Sequence, residues 1–96
     1  MIKIKYTEKQ RAVLQGITSA QFGFTNSDGK AVNSVLNNIN KKFSPFPKKT
    51  NYSKSLKYYE AHALVVISRI LIKDYADEPL IASTCSQLIS QIEPKL

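Results

Sequence analysis

The chain has 96 residues, 43% of them apolar and 22% charged, and its 14 lysines and arginines outnumber seven aspartates and glutamates to give a formal net charge of +7. That length holds one hydrophobic core spanning residues 1–96 as a single domain, and the balanced composition excludes a disordered tail or a fibrous repeat. A single cysteine, Cys85, excludes an intramolecular disulfide and a thiolate pair on a metal, and fits a reducing, cytoplasmic setting.

Residues 1–6, Met-Ile-Lys-Ile-Lys-Tyr, alternate apolar and basic side chains, the period of a half-buried strand. No second strand is evident to pair with it, so it is expected as an arm or as a strand completed by a partner. It also lacks the apolar stretch of a secretory signal. Thr7-Glu8-Lys9-Gln10 matches the capping box that opens a helix, followed by an apolar face of Val13, Leu14, Ile17 and Ala20 and a stop at Gly23 between Phe22 and Phe24.

Thr25-Asn26-Ser27-Asp28 repeats the cap before Val32, Val35, Leu36, Ile39 and Phe43, the cleanest helical stripe in the chain. Ser44-Pro45-Phe46-Pro47-Lys48-Lys49 breaks that helix, because proline lacks an amide donor, and residues 44–53 are expected as a Pro/Lys-rich connector. A third helix is predicted from about Ser53 to Tyr75, apolar on most of its circumference and therefore central or at a self-association surface. Asp77-Glu78-Pro79 opens a fourth, with a stripe of Leu80, Ile81, Cys85, Leu88 and Ile92 ended by Pro94. The longest apolar run, residues 63–67, falls far short of the roughly 20 residues of a membrane span. The expected fold is all-α: a small single-domain bundle of four helices, with three to five as the range, plus a short N-terminal strand or arm.

Charge is the most informative feature. Residues 1–28 sum to +2, residues 29–59 to +7 without one acid, and residues 60–96 to −2. The acid-free stretch carries Lys30, Lys41, Lys42, Lys48, Lys49, Lys54 and Lys57, interleaved with Phe43, Phe46, Tyr52, Tyr58 and Tyr59. Lysines for phosphates and aromatic faces for bases make a kit for single-stranded nucleic acid or a nucleotide. The plainer alternative puts Phe43 and Tyr59 in the core, uses Phe46 to pin the loop and leaves the lysines as a solvated face. Only Arg11 and Arg69 are arginines, which disfavours reading of guanines by guanidinium forks. Gly29 and Lys30 at a helix start resemble an anion seat but lack the upstream glycine and strand of a P-loop, so an ordinary cap competes with that reading.

His62 and Cys85 are the sole imidazole and thiol, each set among apolar residues with no orienting Asp or Asn, and no metal-ligand spacing occurs. The helix-turn-helix pattern fits poorly, since the segment between Ile17 and Val32 exceeds its short turn. The expectation is a non-catalytic protein without cofactor or metal, whose partner is nucleic acid docked on Gly29, Lys30, Lys41, Lys42, Lys48, Lys49, Tyr52, Lys54 and Lys57. Alternatives are an inhibitor or adaptor of the phage or mobile-element type that binds an acidic surface of a host protein, and a nucleotide-sequestering protein. The unpaired strand and surplus apolar surface also point to a homodimer or higher homo-oligomer, away from any membrane.

Overall fold

The computed structural model describes residues 1–20, 27–45 and 48–96. The helix stop expected at residues 22–24, the cap side chains at 25–28 and the pinning role of Phe46 lie outside the described residues. In chain order the elements are β1 (Ile2–Thr7), α1 (Glu8–Ser19), α2 (Ser27–Ile39), a 3-10 turn (Asn40–Phe43), β2 (Asn51–Leu56), α3 (Tyr58–Asp74), α4 (Pro79–Ile92) and a closing 3-10 turn (Glu93–Lys95). The molecule is mostly helical with four α-helices among the described residues, but it is not all-α.

The N-terminal strand has a partner within the chain. β1 pairs antiparallel with β2, setting Ile2 opposite Leu56, Ile4 opposite Lys54 and Tyr6 opposite Tyr52. The helix expected from Ser53 therefore starts at Tyr58, and the connector expected over residues 44–53 gives up its last three residues to β2. Tyr52 and Leu56 stand four apart, a spacing that satisfies a helix stripe and one face of a strand equally well. Ser53, Lys54 and Ser55 between them supply none of the β-branched residues that mark a strand. What makes β2 a strand is tertiary: β1 buries Ile2, Ile4 and Tyr6 completely or nearly so, and Tyr52 and Leu56 extend that inner face.

Helix α1 opens on the capping box as expected, with Thr7 Oγ1 accepting from the Gln10 amide at 3.3 Å and Gln10 Oε1 accepting from the Thr7 amide at 2.8 Å. Arg11, on the same helix, is buried; its guanidinium donates to Glu8 at 2.9 Å, to Gln15 at 2.7 Å and to the Phe43 carbonyl at 2.9 Å, tying the 3-10 turn to α1. The α2 stripe delivers Leu36, Ile39 and Phe43 to the core, where the Phe43 ring meets Tyr6 edge-on at 5.6 Å. Helix α3 is the central rod: Ala61, Leu64 and Ile67 are fully buried, and it packs on α2 and α4. It is not apolar all round in use, since Ile70 is exposed and Tyr59, which the plainer alternative put in the core, faces solvent at 57% exposure. Pro79 sits in the first turn of α4, where its missing amide costs no hydrogen bond. No helix among the described residues is long and apolar enough to cross a membrane.

Candidate functional site

Strand alternation builds the surface. With Ile2, Ile4 and Tyr6 turned inward, Lys3, Lys5 and Thr7 turn outward, and the register sets them opposite Ser55, Ser53 and Asn51. All six are exposed, so the outer face of the sheet presents two lysines, two serines, a threonine and an asparagine to solvent. The amide and carbonyl of Lys5 are taken by the Gln91 side chain at 2.7 and 2.9 Å, which places them on the edge away from β2. By the same alternation the backbone groups of Ser53 and Ser55 point to the outer edge of β2. There Lys42 Nζ donates to the Ser55 carbonyl at 3.3 Å.

The expected lysines divide. Lys48 and Lys49 precede β2, Lys54 stands within it and Lys57 closes it at the start of α3; all four are exposed. Together with Lys42, and with exposed Lys41 beside it in the 3-10 turn, they follow a strand roughly 17 Å long. Lys30 stands apart: it begins α2, about 16 Å along the helix direction from Lys41, and shares a polar depression with Asn33, Ser34, Asn37 and Asn38. Gly29 is buried. Tyr52 does not belong to the open site. Its ring stacks on Tyr6 at 5.5 Å and 4°, and its hydroxyl donates to Glu8 at 2.6 Å while accepting from the Lys49 amide at 3.0 Å.

The carboxylates nearest the lysines are already occupied. Glu8 is held by Tyr52 and Arg11, and those hydrogen bonds, that of Tyr52 foremost, keep its carboxyl below the usual carboxylate range against partial desolvation. Glu60, buried in the first turn of α3, accepts from the Lys57 amide at 2.8 Å and pairs with Lys42 at 3.4 Å. Asp74, Asp77 and Glu78 belong to the other end of α3, about 24 Å from its start, and Glu93 pairs with Arg69. Carboxylates from the C-terminal third thus neutralise Lys42 in part; Lys48, Lys49, Lys54 and Lys57 make no salt bridge among the described residues, although Lys48 lies near enough to Glu8 for its charge to help lower that carboxyl.

No family model, curated protein or solved structure matches this chain. The site is therefore defined by its own geometry.

Sequence reasoning missed one contribution. Lys3 and Lys5 face outward beside Ser55 and Ser53 only because β1 lies beside β2, on the sheet face opposite that of Lys54, which is paired with inward-facing Ile4; their alternation with isoleucines was visible, but the pairing was not. Tyr58 and Tyr59, in the first turn of α3, are 60% and 57% exposed, and Lys57 Nζ lies 5.9 Å from the Tyr59 ring centre. These rings, rather than that of Tyr52, are exposed at the end of the β2 lysines. His62 faces solvent while Cys85 is fully buried, with its thiol pushed up by burial. Among the described residues no group of three His, Cys, Asp or Glu side chains could hold a metal ion.

Proposed function

We propose that the protein is a non-catalytic binder of single-stranded nucleic acid, with the phosphates following the lysines along β2 and bases stacking on Tyr58 and Tyr59. The observation that carries this reading is the run of exposed Lys48, Lys49, Lys54 and Lys57 ending at two exposed tyrosines, with the neighbouring carboxylates of Glu8 and Glu60 engaged internally. Ammonium groups on flexible stems attract phosphates without regard to sequence, and every base has a face to stack on a ring. Both arginines are committed elsewhere, Arg11 to Glu8 and the core side of α1 and Arg69 to Glu93, so the surface offers no free guanidinium for base reading.

Fluorescence anisotropy with a labelled oligothymidylate tests the proposal. If four to six phosphates are engaged, log K falls against log salt with a slope of roughly −3 to −4. Lys54→Gln with Lys57→Gln lowers that slope by about 1.4 and weakens binding. Tyr58→Ala with Tyr59→Ala weakens binding by about 1–3 kcal/mol per stacked base and leaves the slope alone. Binding that ignores salt removes the proposal.

One observation favours a second reading. On the outer edge of β2 the backbone groups of Ser53 meet no partner among the described residues, and an extended acidic segment of another protein would find both strand pairing and lysines there. A partner recovered in a pull-down that survives nuclease treatment supports that reading. Self-pairing of two copies through this edge is disfavoured, because their lysines would meet. The nucleotide seat at Gly29 and Lys30 gains no support, with Gly29 buried and Lys30 remote from the other lysines.

A further inference from the structure

A second cluster of lysines lies on the opposite edge of the sheet, where β1 meets the end of α4. A depression of about 370 Å³ there is lined by Lys3, Lys5, Ser90, Gln91, Pro94 and Lys95. Its ammonium groups come from positions 3, 5 and 95, and no carboxylate of the described residues lines it. Glu93, two positions before Lys95, is turned to Arg69.

We propose that this seam is an anion site that takes a phosphate group. Gln91 spends both atoms of its carboxamide on the Lys5 backbone, at 2.7 and 2.9 Å, and so pins the last turn of α4 against the edge of β1. That pin holds Ser90 and Lys95 beside Lys3 and Lys5. Strand alternation turns the Lys3 amide to the same edge as the Lys5 amide, adding a backbone donor. Three ammonium groups, a serine hydroxyl and an amide match a phosphate, which presents acceptor oxygens and negative charge. Like charges gathered without a counter-charge repel, and a bound dianion relieves that repulsion. The volume accommodates a phosphate with several waters, each needing about 30 Å³.

The phosphate has two sources, a free phosphorylated small molecule or the backbone of a nucleic acid that crosses the outer face of the sheet from the β2 lysines. Only the second source rests on the function proposed above.

The test follows amide chemical shifts of the ¹⁵N-labelled full chain during titration with inorganic phosphate, against sodium chloride at matched ionic strength. Saturable shifts are expected at Lys3, Lys5, Ser90, Gln91 and Lys95 with phosphate but not chloride. Lys95→Gln and Ser90→Ala, both exposed positions, should each raise the apparent Kd at least threefold while leaving the remaining spectrum in place. Shifts that chloride reproduces, or that spread equally over residues 48–57, overturn the site. Lys54→Gln with Lys57→Gln should leave the phosphate titration unchanged, so loss of nucleic-acid binding and loss of the seam site read out separately. An oligothymidylate that shifts the same seam residues, and whose binding weakens threefold or more in Lys95→Gln, identifies a nucleic-acid backbone as the source. Seam residues that saturate with phosphate and ignore the oligonucleotide identify a free phosphate group.

Discussion

The two ends of α3 stand in opposite electrostatic surroundings. Around its first turn are Lys42, Lys54 and Lys57 with Glu60, and Tyr58 and Tyr59 exposed; around its last turn and the start of α4 are Asp74, Asp77 and Glu78 with Lys73. The acidic end has a structural reason. Asp77 and Glu78 precede Pro79 at the start of α4, where the helix dipole favours negative charge. The basic end has no such reason: positive charge beside the start of α3 opposes that helix's dipole, and only Glu60 compensates. Asp74, at the last position of α3, opposes the same dipole from the other end.

Between these ends runs the apolar rod of α3, and the sharpest way to break the comparison is to cut it. Leu64 is fully buried at the middle of the rod. Leu64→Ala should cost about 2–5 kcal/mol of stability, read as a lower urea midpoint. The molecules still folded in the absence of urea should bind the oligonucleotide as before. A parallel loss of intrinsic affinity would show that rod and basic end are not separable.

A smaller effect is expected at the join between them, where Tyr52 links the core to the Lys48–Lys49 segment. Tyr52→Phe removes the donor to Glu8 and the acceptor for the Lys49 amide. Because the Glu8 carboxyl is held below its ordinary value in the folded state, its contribution is present above that ordinary value and is lost as pH falls through the lowered one. The variant should therefore unfold at lower urea at pH 7, while its further loss of stability below about pH 5 should be shallower than that of the parent. Equal acid slopes in the two proteins would remove Tyr52 as the group that holds Glu8.

The residues also show how far a sequence carries. The capping box at Thr7, the stripe of Leu36, Ile39 and Phe43, and the proline opening α4 are local signals, each complete within a few neighbouring positions, and the structure keeps them. Strand β2 was not legible because its evidence sits in β1, some fifty positions earlier, in the inward face of Ile2, Ile4 and Tyr6. The same gap hid part of the site. The acid-free run of lysines could be counted, but only the fold shows that Glu60 reaches Lys42, that Lys3 and Lys5 join the sheet face, and that Lys30 does not. Tyr52 left the expected open site because the strand pairing stacks it on Tyr6 and buries it.

The smallest effect is expected from the other member of the stacked pair. Tyr6 lies against Tyr52, but its hydroxyl is buried without a hydrogen-bond partner among the described residues. A buried donor left unmade is a cost that phenylalanine avoids while keeping the ring contacts, so Tyr6→Phe should shift stability at pH 7 by less than about 1 kcal/mol, or raise it. Burial, and then the neighbouring Tyr52, push the Tyr6 pKa up to about 12. As pH rises above the ordinary tyrosine value of 10, the unfolded chain gives up this proton while the folded chain keeps it, so stability falls between there and about 12. Tyr6→Phe should make that alkaline fall less steep in urea titrations at stepped pH. Since Tyr6 lies beneath the sheet and touches no ammonium of the outer face, oligonucleotide affinity at neutral pH should be unaltered. A variant that lost affinity while keeping its stability would show that the stacked tyrosines set the geometry of the lysines above them.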